Sequence, residues 1–280
     1  MTFSDGLDII PVGDGRFQAG PMGSDHGSAQ TVVFGGQLLA QTVMAAARTV
    51  PDKSVKSLHT VFARGASTAS PLDFEVDVMH AGRAFASATV SVHQQDRLCS
   101  RSLVLLDAAD PDLIRHQAPM PSVAGPGEAS EPAPGWQVST VGAVDISDPS
   151  TVGPPELFVW TRFPGAPADL TLSQASLAYA TDGFLIGTAM RPHPGVGQAL
   201  AHVSISTTVL THTLTFHEPF DAGDWLLLAQ ESPYSGRGRS YGRALVYAGD
   251  GRLVASFVQE SMIRDMPDAQ RPAAGEKARF

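Results

Sequence analysis

Cysteine is nearly missing from this chain: Cys99 stands alone among 280 residues. A single thiol closes no disulfide within the chain, so the fold depends on core burial rather than on cross-links. No apolar run reaches the ~18 residues that carry a helix across a bilayer, so no stable membrane insertion is expected. Positive charge is in deficit, with 19 Lys and Arg against 28 Asp and Glu and a net charge of -9. Nucleic-acid binding needs clustered cations, and this balance argues against nucleic acid as a partner. Also lacking are the spaced ligands of a metal site, a Walker loop, a dinucleotide fingerprint and a nucleophile elbow. Neither a metal nor an organic cofactor is expected. Residues Met1 to Gly6 show no basic stretch leading into an apolar one. The expected compartment is therefore the cytoplasm.

What the chain has is a repeat. Val33-Phe34-Gly35-Gly36-Gln37 opens an Ala-rich helix, followed by Ser57 to Phe62, then Gly82-Arg83-Ala84-Phe85 leading to Asp96-Arg97-Leu98-Cys99-Ser100. A second apolar helix lies around Ala175 to Gly187. It is followed by Thr213 to His217, then Gly238-Arg239-Ser240-Tyr241 leading to Gly251 to Ser256. The offset of ~155 residues is far longer than a solenoid repeat and describes two fused domains. Length and a 43% hydrophobic content fit two well-cored units.

Each unit reads as one helix followed by several strands. The first helix runs from Gly36 to Val50 and stops at Val50-Pro51, because proline disfavours helix at the residue before it. Leu72 to Val78 alternates apolar and acidic residues, the mark of a strand with one wet face. The second helix is expected from about Thr171 to Met190, with strands at Val203 to His217, Asp224 to Glu231, Arg239 to Tyr247 and Arg252 to Arg264. One long helix on an antiparallel sheet, twice over, is an α+β double hotdog. The expected division is a unit over 1–107, a proline-rich connection over 108–168, a second unit over 169–265 and a frayed tail over 266–280. Closed symmetry is the default for such units, so a homodimer or homotetramer is expected.

Four groups of residues are candidates for chemistry. Asp182 lies among apolar neighbours, where a carboxylate is costly unless bonded or used, and such a group suits a general base. The alternative is a helix carboxylate reaching solvent beside Gly183. Gln259 ends the apolar strand face of Leu253, Ala255 and Phe257, and its amide can hold a water or a carbonyl. Its counterpart in the first unit falls near Val104, which points to one working site per chain. The alternative is a strand-end amide turned to solvent. Thr211 could orient a nucleophilic water, or could be ordinary β-branched strand usage. Phe34-Gly35-Gly36 at a helix start would bring backbone N–H groups close to a ligand oxygen, or would simply form a tight turn. Arg239, with Arg237 and Arg243, could bind phosphate groups, or could be a solvated face.

The segments Val33 to Gln37, Tyr179 to Asp182, Phe216 to Phe220 and Leu253 to Glu260 together resemble the type II acyl-CoA thioesterases, the TesB family, from about Val33 to Arg264. The resemblance implies a double hotdog fold and hydrolysis of acyl-CoA to free acid and CoA without a cofactor. In that family an Asp, a Thr or Ser, and a Gln position the attacking water. Asp182 matches the Asp and Gln259 matches the Gln. The family's hydroxyl precedes an x-Asp-His segment, and an ungapped match places Val209 there. Thr211 is the expected substitute, with Thr208 a second choice if the strand slips. Val209 also keeps open a silent acyl-CoA-binding protein.

Overall fold

The computed structural model describes residues 3–20, 32–165 and 168–267. In chain order the elements are α1 (Phe3–Gly6), β1 (Ile10–Gly13), β2 (Arg16–Ala19), α2 (Gly35–Thr49), β3 (Ser54–Phe62), β4 (Leu72–Ala81), β5 (Phe85–Gln94) and β6 (Arg97–Asp107). There follow β7 (Ser130–Ala133), β8 (Trp136–Thr140), β9 (Glu156–Arg162), α3 (Leu170–Thr181), α4 (Leu185–Met190), β10 (Ile205–Phe216), β11 (Leu226–Gly236), β12 (Arg239–Ala248) and β13 (Leu253–Asp265).

The thirteen strands form one antiparallel sheet in the order β1-β2-β4-β5-β6-β3-β10-β13-β12-β11-β9-β8-β7. The order is nearly palindromic about the β3–β10 seam, so each repeat contributes one half and the α+β double hotdog arrangement holds. His59 lies opposite Thr213 at that seam. Their separation in sequence matches the repeat spacing, so the pseudo-twofold axis passes between them. The hairpins turn tightly. Gln95 and Asp96 take φ of 51° and 61°, and Arg237 and Gly238 take 55° and 71°. Two successive positive φ values give the turn that matches sheet twist in a two-residue loop.

α2 and α3 pack side by side on one face of the sheet, and α2 is buried from Gly36 to Ala47. Its buried Gln37 donates to Gln41 at 3.1 Å, and its alanines let the two helices approach closely. Asp169 caps α3 by accepting the Leu172 N–H at 2.8 Å. The helix start is half-buried, and Ser173 through Thr181 are all buried.

One expectation changes here. The second helix is not continuous to Met190. It ends at Thr181, with Asp182 as its C-cap, and α4 starts at Leu185. Trp136, arriving on β8, packs so closely that a Cβ on Gly183 would sit 3.2 Å from its ring. A continuous helix would put Asp182 on one face with Leu185 and Ile186, and the break between α3 and α4 removes that face. The proline-rich stretch between β6 and α3 carries structure of its own. It supplies β7, β8 and β9 to the sheet edge. Its earlier part crosses the outer sheet face, where Tyr247 donates to the Pro119 carbonyl at 3.1 Å and Trp160 to the Ala124 carbonyl at 2.8 Å. Of the expected tail, residues 268–280 lie outside the described residues, as do 21–31 of the lead-in.

Candidate active site

α3 ends where α2 begins, and this places Asp182 against the first turn of α2. The backbone N–H of Gly36 donates to the Asp182 carboxylate. The approach is close: a Cβ on Gly35 would sit 2.7 Å from Oδ2, and one on Gly36 would collide with the Tyr179 carbonyl. Glycine is required at Gly36, where the neighbour is α3 backbone, whereas a side chain at Gly35 would have to push the Asp182 carboxylate aside. Phe34 precedes the helix in extended conformation and sets its ring edge-on to Tyr179, centroids 5.0 Å apart.

Asp182 is 9% exposed, and its Oδ1 is buried without a hydrogen-bond partner. Burial pushes its pKa up from 3.8 to about 7, and the Gly36 N–H pulls the other way. Loss of hydration disfavours the charged form, and one backbone donor does not offset it. Burial raises the neighbouring Tyr179 hydroxyl to about 12, helped by the Asp182 charge, so Tyr179 stays neutral. The carboxylate opens on a cavity of about 350 Å³ walled by Val33, Gly35, Leu38, Phe62, Ala63, Arg64, Gly65, Thr208, Val209 and Leu210. A carboxyl that titrates near neutrality at a cavity wall suits proton transfer at physiological pH.

Thr211 stands apart from this cavity. A bulge in β10 sets Val209 opposite Ser261 but Thr211 opposite Glu260, leaving Leu210 as the extra residue. Ser261 is buried and Glu260 is exposed, so Val209 and Thr211 fall on opposite faces. Thr211 points outward, 3.3 Å from Glu260 Oε2, into a surface depression shared with His59, Val61 and Leu103. Thr208, exposed on β10 with its hydroxyl 3.4 Å from the Val209 carbonyl, is the threonine at the rim of the Asp182 cavity. Arg239 is exposed at the start of β12, donates to the Gly238 carbonyl at 2.9 Å, and is not part of the cavity wall.

Gln259 is buried and joins a line of polar groups absent from the sequence expectations. It lies opposite His212 on the neighbouring strand. The His212 Nδ1 is 3.3 Å from Gln259 Oε1, and its Nε2 is 3.0 Å from the Thr181 hydroxyl. Gln259 Nε2 donates to Ser261 Oγ at 3.0 Å. Burial pushes His212 down to about 4, against the pull of Gln259, so the ring is neutral. A neutral imidazole has one N–H. With Gln259 Oε1 facing Nδ1 the ring proton sits on Nδ1, and the Thr181 O–H, which also lies 2.9 Å from the Ala178 carbonyl, must then turn its one proton to Nε2. The line thus runs from Thr181, the residue before Asp182, through His212 to Gln259 and Ser261. The sequence signal was available: His212 shares the inward parity of Leu214 and Phe216, and an imidazole on an apolar face needs partners.

Two family models match the chain. One, described as the acyl-CoA thioesterase C-terminal domain, matches residues 115–263, and the N-terminal domain of the same description matches residues 24–106. Among curated proteins, human acyl-coenzyme A thioesterase 8 is 28% identical over 269 residues, covering 84% of this chain and 81% of its own. Acyl-CoA thioesterase 2 of Haemophilus influenzae is 27% identical over 254 residues, covering 83% and 87%. Among solved structures, the acyl-CoA thioesterase II TesB2 of Mycobacterium marinum superposes with a TM-score of 0.79 at 26% identity, covering 96% of this chain and 99% of that one. A hot dog fold protein from Alicyclobacillus acidocaldarius superposes with a TM-score of 0.73 at 19% identity, covering 95% and 98%, a likeness of fold.

Proposed function

The chain belongs to the acyl-CoA thioesterase family, whose two domain models it matches in order, and from that premise we propose that Asp182 is the general base of its site. The protein hydrolyses acyl-CoA thioesters to free acid and CoA. In the proposed step, ionised Asp182 takes a proton from a water in the cavity, and the water oxygen attacks the thioester carbonyl carbon. The carbonyl oxygen gains negative charge as the tetrahedral intermediate forms. When that intermediate collapses, the C–S bond breaks, the electron pair leaves on sulfur, and the proton held by Asp182 passes to the thiolate or to solvent. With the Gly36 N–H taken by Asp182, the first-turn N–H of Gly35 and the amide of Gln259 are the proposed partners of water and oxyanion. Phe34 is the proposed wall for the acyl group. Thr208 replaces Thr211 as the proposed hydroxyl, because it lines the cavity that Asp182 opens on.

The observation that carries the reading is the Asp182 carboxyl itself: buried, one oxygen unpartnered, its pKa pushed up to about 7, at a cavity beside a helix start. Thiol release from a panel of acyl-CoAs tests it. Asp182→Asn is expected to lower kcat by ~10²–10⁴ if the residue acts as general base, and Gln259→Ala is expected to lower it as well. Full activity in the Asp182 variant would remove it from the mechanism. A cytoplasmic location and a homodimer or homotetramer complete the proposal. Among the described residues no helix is long and apolar enough to cross a membrane.

A further inference from the structure

We infer that His212 is a positioning residue, holding the side-chain amide of Gln259 in the one orientation that hydrolysis uses. The inference rests on the role proposed for Gln259. An amide on a strand has two orientations that differ by exchange of its oxygen and nitrogen, and only its neighbours choose between them. Here the neighbours choose. His212 Nδ1 lies 3.3 Å from Gln259 Oε1 and Gln259 Nε2 donates to Ser261 Oγ at 3.0 Å, an arrangement that requires the ring proton on Nδ1. The ring itself is held by the Thr181 hydroxyl on Nε2 and by Phe257, stacked at 5.6 Å with planes 17° apart. All these side chains are buried, so water does not compete for the bonds.

The other repeat supplies an internal control. Across the pseudo-twofold axis, the pair His212 and Gln259 corresponds to the pair Leu58 and Val104, which face each other on β3 and β6. Leu58 and Val104 are both buried. The fold therefore closes over this position with two aliphatic side chains and no polar group. A buried imidazole costs desolvation that leucine does not. Its presence in one half only, opposite the glutamine and bonded to the residue before Asp182, ties it to the chemistry rather than to the sheet. His212 is uncharged wherever Asp182 is ionised, so it acts through its hydrogen bonds and not as a second base.

The test compares His212→Asn, His212→Gln and His212→Leu. Asparagine places a donor near the Nδ1 position and loses the Thr181 contact, whereas glutamine reaches toward Thr181 and abandons Gln259. If His212 orients Gln259, the Asn variant keeps kcat within about threefold, while the Gln and Leu variants lose about tenfold or more, the scale of a buried hydrogen bond lost with its partner left unsatisfied. KM stays within about twofold, since no substrate contact is removed. On a Gln259→Ala background His212→Leu is expected to add no further loss, because a residue that acts through Gln259 has nothing left to hold. The double variant His212→Leu, Gln259→Val rebuilds the aliphatic pair of the first repeat and is expected to fold and be inactive. Unchanged kcat in folded His212→Leu would overturn the inference, as would equal losses in the Asn and Gln variants or an undiminished loss on the Gln259→Ala background. If His212→Leu alone does not fold, the Asn and Gln variants decide. Full activity in Gln259→Ala would instead overturn the role of Gln259 itself.

Discussion

Replacing Asp182 by asparagine should make the protein inactive and, above neutral pH, more stable. Its carboxyl titrates near pH 7 in the fold against an ordinary value of 3.8. The carboxyl keeps its proton in the native state while the unfolded chain has lost it, at every pH between those values. The unfolded state then binds fewer protons, and native stability falls as pH rises, by about 1.4 kcal/mol per pH unit. The stability is fully present below about pH 4 and is lost as pH climbs through about 7, where the loss levels off at about 4 kcal/mol. Asparagine resembles the protonated acid in shape and has no such dependence. Its amide N–H groups would stand where Oδ1 has no partner, which adds a constant cost of about 1–3 kcal/mol. That offset does not vary with pH, so the slope of the difference is the decisive quantity. Urea unfolding of both proteins at pH 5, 6, 7 and 8 measures it. The expected result is a stability difference moving in favour of the variant by about 1.4 kcal/mol per unit up to pH 7 and flat above. A difference that does not change between pH 5 and 8 would refute the elevated carboxyl. A difference moving the other way would mean that the native fold stabilises the charged form.

The same carboxyl predicts the pH–rate profile. For the parent protein kcat/KM should fall about tenfold per unit below pH 7 and level off above it, reporting ionisation in the unliganded enzyme. A flat profile from pH 5 to 8 would exclude Asp182 as the base. Gly35→Ala puts a methyl group 2.7 Å from Oδ2. Moving the carboxylate aside should lower kcat by about 10²-fold and destabilise the fold by about 1–3 kcal/mol, readable by thiol release and urea unfolding. Thr208→Val should lower kcat by about tenfold if its hydroxyl holds the water. Thr211→Val, on the outer face, should leave kcat within about twofold. Val209→Thr should raise activity, and equal effects at Thr208 and Thr211 would remove the hydroxyl from the cavity.

The duplication, the two helices and the sheet strands were legible because they depend on local periodicity. Alternation in Leu72 to Val78 and the Ala-rich run after Gly35 state burial residue by residue, and a core imposes the same rule wherever it forms. Asp182 and Gln259 were also legible, as polar groups embedded in apolar stretches whose burial demands partners or a use. The tertiary structure alone decided what those residues meet. Helix α3 ends at Thr181, and Trp136, far away in sequence, packs beside Gly183 just past that end. Thr211 turned outward because pairing with β13 extruded Leu210, and one extra residue moves the side chains beyond it to the other face. His212 acquired its place from Thr181 on one side and Gln259 on the other. Strand periodicity is a property of neighbours along the chain, whereas bulges, helix breaks and hydrogen-bond partners are set by contacts between segments that no local pattern encodes.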